Sequence, residues 1–201
     1  ITNAPNADWA IIMAYTDKSK RHKGISTFLV HKDTPGYSTG PMERKLGIRA
    51  SHSSSIHLED CRIPAENLLG DEGLGFKVAM TTLDAGRIGI ASQALGIAKA
   101  ALTESVTYAK ERQAFGGPIA NLQAIQFTLA DMGTKLDAAR LLTLRAAYMK
   151  DTKQPFSKQS AMAKVFAAEA AMWITTKAVQ VHGGYGYLED FPAERHFRDA
   201  K

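Results

Sequence analysis

The chain has 201 residues, 45% of them hydrophobic and 22% charged, with a formal net charge of +5. That is enough for one sizeable core or two small ones, and the scattered Lys and Arg form no basic arm of the kind that grips nucleic acid. The single cysteine, Cys61, excludes an internal disulfide framework and suits a reducing compartment; no apolar run approaches the ~18 residues of a membrane span, so no membrane insertion is expected.

The chain opens on ITNAPNADW, without an initiator Met, which reads as the middle of a domain and leaves targeting undecided. Residues 1 to about 70 read as strands and turns. DWAIIMAYT and ISTFLVH are β-prone runs on either side of KSKRHK (Lys18 to Lys23), which is expected as an exposed hairpin tip. TPGYSTG and SSSIHLEDCRIP follow, punctuated by Pro, Gly and Asp, with Ile56 and Leu58 alternating as on a half-buried strand. The pattern is that of an antiparallel sheet or barrel.

From about Gly73 the period changes. Phe76, Met80, Leu83, Arg87, Ile90, Ala94, Ala98, Leu102 and Ser105 step by three and four, which predicts one helix face sustained to about Arg112. After the GGP break, Leu122, Ile125, Leu129, Met132, Leu136 and Ala139 predict a second helix to about Lys150. DTKQPFS is a loop. Ser157 is then expected to cap a third helix, running through Met162, Val165, Ala168, Met172 and Val179, and Pro192 is expected to start a fourth. Long helices with short connections predict an antiparallel bundle. The fold class is α+β: residues 1–71 as part of an antiparallel β-barrel-like domain, residues 72–201 as an incomplete four-helix bundle. Each half reads as incomplete, so a fragment of a larger protein, or a chain that assembles with others, is expected.

Three stretches break local helix rules, and such breaks are where function is sought. In LDAGRIGIASQALG, Gly86, Gly89 and Gly96 each cost roughly 1 kcal/mol against alanine inside a helix. Either they let helices pack closely, or they present bare backbone to a flat ligand near Asp84 and Arg87, which at i, i+3 also suit an ion pair. In KERQAFGG, Arg112 suits either the negative end of a helix or a phosphate, and Phe115 either anchors the helix end or stacks on a ligand. In QVHGGYGY, Gly183, Gly184 and Gly186 follow a helix rather than open one, so they lack the dinucleotide fingerprint and read first as a C-cap. His182 has no companion at metal-ligand spacing, and no metal is expected. Asp84, Glu104, Glu169 and Glu194 are candidate bases that spacing alone does not separate. Unaided, the residues imply a β unit followed by a helical bundle that binds a flat, phosphorylated cofactor.

KLGIRAS, LEDCRIP, LDAGRIGIASQALGIA, KERQAFG, QVHGGYGY and PAERHFRDAK, in that order, resemble the acyl-CoA dehydrogenase family, most closely its short-chain, butyryl-type members. The resemblance spans the whole chain. It implies a middle β domain and a C-terminal four-helix bundle, a homo-oligomer built as a dimer of dimers, and flavin adenine dinucleotide (FAD) bound partly across the dimer interface. It implies α,β-dehydrogenation of short-chain acyl-CoA thioesters in fatty-acid or branched-chain amino-acid breakdown, with electrons passed to an electron-transferring flavoprotein. The location implied is the mitochondrial matrix or a bacterial cytoplasm. By the same resemblance Asp84, Ala85, Gly86 and Arg87 line the acyl-CoA site. Thr2 contacts the flavin ring, and Arg112, Gln123, Gln180, Val181, His182, Gly183 and Gly184 reach the FAD of the neighbouring subunit. Ala114 stands where medium-chain relatives carry a hydroxyl, so a side-chain hydrogen bond is absent there. The catalytic glutamate is expected in a segment just after Lys201, because Gly86 occupies the position from which isovaleryl-type members supply it. The alternatives are a non-catalytic assembly module on the same fold, an acyl-CoA oxidase, or a glutaryl-CoA dehydrogenase.

Overall fold

The computed structural model describes residues 1–201 and separates into two compact units, Ile1–Leu83 and Asp84–Lys201. In the first, β1 (Trp9–Tyr15) and β2 (Ile25–His31) form an antiparallel ladder with Trp9 opposite His31 and Tyr15 opposite Ile25. KSKRHK is the exposed tip of this hairpin, wound as a 3-10 turn over Lys18–Gly24. Asp17 holds the turn: its carboxylate accepts from the Ser19 hydroxyl at 2.6 Å and the Ser19 N–H at 3.0 Å. Those bonds and the Lys20 ammonium hold its pKa down at about 2. Gly24 closes the turn because a Cβ there would overlap the Asp17 carbonyl.

β3 (Tyr37–Thr39) and β4 (Ile56–Leu58) form a second ladder of three residue pairs. The two ladders are separate two-stranded sheets, so the barrel-like expectation is not met as a closed barrel. Closure needs every strand in a ladder on both edges, and each of these four has a ladder on one. Thr2 and Ser53, and Phe28 and Leu68, add single bridges. Ile56 is half-buried as expected, but Leu58 is exposed. β1 leaves Trp9, Ile11, Met13 and Tyr15 exposed, and the buried apolar side chains of this unit are Ala4 and Val30 alone.

The second unit is helical. α1 (Gly75–Glu111) runs into it, followed by α2 (Gln123–Asp151), α3 (Ser157–His182) and α4 (Pro192–Ala200). Pro192 takes the first-turn position of α4, where its missing N–H costs nothing. The five residues between α2 and α3 make those two antiparallel neighbours. No helix is long and apolar enough to cross a membrane. The residues joining α1 to α2 carry a short ladder, β5 (Gln113–Ala114) with β6 (Gly117–Pro118).

The core of this unit is built of alanine. Ten of its twelve buried residues are Ala, from Ala91, Ala98 and Ala101 on α1, through Ala139 and Ala146 on α2, to five on α3; Met132 and Ile174 are the others. Small side chains let helix backbones approach closely. Buried hydroxyls inside it bond back to their own helices: Ser105 to the Ala101 carbonyl at 2.7 Å, Thr143 to that of Ala139 and Thr175 to that of Ala171, both at 2.8 Å.

The face expected of α2 holds, with Met132 and Ala139 buried, but those of α1 and α3 are corrected. On α1, Ala98 and Ser105 are buried as expected, but Phe76, Met80, Leu83 and Ile90 are exposed. On α3 the expected stripe is out of phase: Met162 and Val165 are exposed, and the buried face is Ser160, Ala163, Ala167, Ala170, Ala171, Ile174, Thr175 and Ala178. Apolar residues surround most of α3, so periodicity leaves its rotation open and close packing selects the small side. Ser157 is not the cap. Phe156 takes that position without a side-chain bond, and Ser157 is the first helical residue.

Two outcomes test this packing. Ala167→Leu, at a site 1% exposed, is expected to destabilise the fold by roughly 1–3 kcal/mol in urea unfolding, since the added atoms have no room. The second concerns His196 on α4, whose pKa is lowered by burial and by Arg195, against upward pulls from Glu104 and Asp199. The folded chain therefore protonates less readily than the unfolded one. Stability is full above the ordinary histidine value and falls as pH drops through the lowered one. His196→Gln is expected to flatten that loss in unfolding curves taken between about pH 7 and pH 5; an unchanged slope would contradict the assignment.

Candidate functional site

Most residues singled out by the cofactor expectation lie at one end of the helical unit. α1 ends at Glu111, and Arg112 follows it with its backbone held on both sides. Its N–H donates to the Tyr108 carbonyl at 2.8 Å, and its own carbonyl accepts from the Ile119 N–H at 2.9 Å. Nearby, Ala109, Ile119 and Val181 form a small buried cluster that pins the end of α3 to the end of α1. The Arg112 side chain is exposed, and no carboxylate pairs with it.

α3 terminates at His182. Gly183 follows with φ +59 and ψ −135, a backbone setting that a side chain disfavours, so the helix-ending role expected of it holds. The chain then winds through a 3-10 turn over Gly183–Tyr187. His182 is buried at 4% exposure. Its Nδ1 lies 2.8 Å from the Ala178 carbonyl, which can only accept, so Nδ1 carries the proton. The imidazole stacks on the Tyr108 ring at 4.4 Å and 26°. Phe191 stands edge-on to both, at 6.1 Å from Tyr108 and 6.2 Å from His182, and packs against Tyr185 at 5.1 Å. The Arg112 guanidinium lies over the Tyr185 ring, 5.4 Å from its centroid.

Together these side chains surround a concavity of about 520 Å³, whose walls include Tyr108, Arg112, His182, Gly184 and Tyr185. Its lining contains one permanent positive charge and no carboxylate. Its charge therefore favours an anion over a cation, and its aromatic walls offer apolar surface beside the guanidinium. Gly183 and Gly184 add bare backbone: a Cβ on either would meet nothing within 4 Å. Gln180 is exposed on the last turn of α3, and Val181 is buried. Gln123 is the exposed first residue of α2, whose N-terminus has no side-chain cap; it follows the turn that Ile119 ties to Arg112. These residues fit a flat, anionic group such as a dinucleotide. Thr2 belongs to the other unit, where it bridges to Ser53.

Phe115 is 91% exposed, so it does not anchor the helix end. The close-packing reading of Gly86, Gly89 and Gly96 also fails within this chain, because a Cβ on any of the three would meet nothing within 4 Å. Asp84 and Arg87 do form the expected ion pair, at 2.5 Å. The second Asp84 oxygen accepts from the Ser157 hydroxyl, tying α1 to the start of α3. Ala85 is half-buried, and Gly86 is exposed between that pair. Sequence reasoning missed Tyr108, Tyr185 and Phe191. Tyr108 was within reach, four residues before Arg112 on the same helix face. The Ser157 bond joins residues 73 apart and has no local signal.

Comparison with known proteins follows the same lines. The acyl-CoA dehydrogenase C-terminal domain family matches residues 73–201, and the acyl-CoA dehydrogenase middle domain family matches residues 1–61. The mitochondrial short-chain specific acyl-CoA dehydrogenase of Bos taurus is 60% identical over 201 residues, which are 100% of this chain and 49% of that protein. The solved butyryl-CoA dehydrogenase of Megasphaera elsdenii is 50% identical with a TM-score of 0.97, covering 99% of this chain and 52% of that one. A chain in a structure described as the electron transferring flavoprotein of Acidaminococcus fermentans is 52% identical with a TM-score of 0.98, covering 99% of this chain and 52% of its own. The chain thus spans about half the length of the relatives it matches.

Two glycines separate conformational need from open space. Gly183→Ala is expected to lose roughly 1–2 kcal/mol of stability, because φ is positive there. Gly89→Ala, helical and unobstructed, is expected to gain up to about 1 kcal/mol. Urea unfolding of both variants reads the two signs directly.

Proposed function

The chain belongs to the acyl-CoA dehydrogenase family, and on that premise we propose that the whole protein oxidises short-chain acyl-CoA thioesters between Cα and Cβ. The observation that carries the substrate class is 60% identity, along the entire chain, to a short-chain specific enzyme. Residues 1–71 are read as part of the middle domain and residues 72–201 as the C-terminal helical domain.

FAD is the proposed cofactor. Arg112 would hold its pyrophosphate, since a planar guanidinium without a carboxylate partner offers all its donors. Gln123, Gln180, Val181, His182, Gly183 and Gly184 would form the rest of that contact, to the FAD of a neighbouring subunit, while Thr2 would lie on the flavin ring of its own subunit's FAD. When bound, the flavin supplies the acceptor for the hydride that leaves Cβ. Asp84 to Arg87 would border the acyl-CoA. The Asp84–Arg87 pair and its Ser157 tether hold that stretch of α1 rigid, while Gly86 leaves open the space a side chain would fill.

An α proton beside a thioester is weakly acidic, so its removal needs a carboxylate of raised pKa in a site closed to water. Gly86 supplies none from α1, and the base is proposed to be a glutamate following Lys201 in sequence. The proposed electron acceptor is an electron-transferring flavoprotein. A homo-oligomer, a dimer of dimers, is proposed as the working state. Its support is the exposed apolar surface on α2 and α3, including Phe127, Leu141, Leu144, Met162 and Val165.

The test is anaerobic addition of butyryl-CoA to the purified whole protein. A bound flavin that bleaches is expected. Protein that is colourless and cannot be reconstituted with FAD would support an assembly module instead. Rapid oxygen consumption would indicate an oxidase, and CO2 release from glutaryl-CoA the decarboxylating relative.

A further inference from the structure

We propose that Tyr185 is a positioning residue for Arg112, holding the guanidinium over its ring so that the cation waits in place for the cofactor's phosphates. The proposal rests on the reading that Arg112 meets FAD.

Arg112 has a fixed backbone and a long side chain, and ordering such a side chain has an entropic cost. A carboxylate partner would order it, but would also occupy its donors and offset the charge that the phosphates need. None is present. Tyr185 supplies order of another kind. Its ring face attracts the cation at 5.4 Å and takes none of the five N–H donors.

The ring is itself held. Phe191 packs on it at 5.1 Å, tilted by 42°. Phe191 in turn rests on the Tyr108–His182 stack, whose imidazole is fastened to the Ala178 carbonyl. The turn carrying Tyr185 is locked at Gly186, where a Cβ would stand 2.4 Å from the Val179 carbonyl oxygen. An unbroken set of ring contacts therefore runs from the buried end of α3 to the guanidinium. The tyrosine hydroxyl makes no hydrogen bond in this set, so the ring alone carries the effect.

The experiment is FAD titration of the assembled apo-protein by flavin fluorescence, for Tyr185→Phe, Tyr185→Leu, Tyr185→Met and Arg112→Ala, and for Arg112→Ala combined with Tyr185→Leu. Tyr185→Phe is expected to bind as the parent does. Leu and Met, which fill the space without a π face, are expected to weaken binding about two- to fivefold, the range of one exposed cation–π contact. In the Arg112→Ala background the Leu substitution is expected to change nothing further. Equal weakening by Phe and Leu, or a Leu effect that persists without Arg112, would overturn the proposal. So would parent-like binding by Leu and Met while Arg112→Ala binds weakly. Parent-like binding by Arg112→Ala would instead sink the underlying assignment of Arg112 to FAD. Melting of the apo-proteins separates lost binding from lost folding: a Leu variant whose weaker binding tracks a lower apo melting temperature, without the same loss in the Met variant, also counts against the proposal.

Discussion

The helical unit depends on one packing constraint: α3 meets its neighbours through alanine. Ala163, Ala167, Ala170, Ala171 and Ala178 are all but removed from solvent; they share one core with Ala91, Ala98 and Ala101 of α1 and with Ala139 and Ala146 of α2, the helix whose backbone α3 approaches closely. Alanine is the best helix former and loses no rotamer freedom on burial. A seam of it lets backbones approach, at the cost of the large apolar area that leucines would bury. Leu95, Leu102, Leu129, Leu136 and Leu142 pack partly buried around it, while Leu141, Leu144 and Val165 lie outside. One arrangement thus accounts for both the close inner packing and the exposed apolar outer surface.

The same seam positions the site. With α3 fixed in rotation and height, His182 arrives buried beside Tyr108, and the helix ends where Gly183 turns the chain. The turn carries Tyr185 under Arg112, whose own backbone is clamped between the end of α1 and Ile119. The positive charge is thus set by rigid neighbours rather than by a counter-ion. At the opposite end, Asp84 binds both Arg87 and Ser157, so the start of α3 is tied to α1 as well. A chain whose two candidate sites sit at the two ends of one closely packed helix can hold both without a large core of its own.

Strand and helix positions were legible because each rests on a local signal. The β-prone runs DWAIIMAYT and ISTFLVH on either side of turn residues predicted β1 and β2, and the change of period near Gly73 predicted α1 to within two residues at its start. Pro192 and Gly183 marked a helix start and a helix end through backbone geometry that no other residue supplies as well. The site stretches were legible as breaks in those patterns. The rotation of α2 was legible too, since Met132 and Ala139 are buried as read, but that of α3 was not. α3 carries four charged residues, Lys158, Lys164, Glu169 and Lys177, in 26 positions, so apolar residues recur on more than one face and the larger ones suggested the wrong stripe. Whether the helical glycines pack or face open space was equally beyond the sequence, since the answer depends on a neighbour's distance.

By itself, then, the sequence determined the order and kind of elements, the places where helices stop, the family resemblance, and the presence of an arginine beside glycine-rich turns. These follow from backbone preferences within a few residues of one another. Only the tertiary structure decided which face of α3 is inside, that Asp84 reaches Ser157, and that Tyr108, His182, Phe191 and Tyr185 join into one aromatic wall beneath Arg112. Those contacts link residues up to 83 positions apart, as Tyr108 and Phe191 are. They exist because helices of nearly uniform hydrophobicity settle by fit, and fit is a property of two surfaces together.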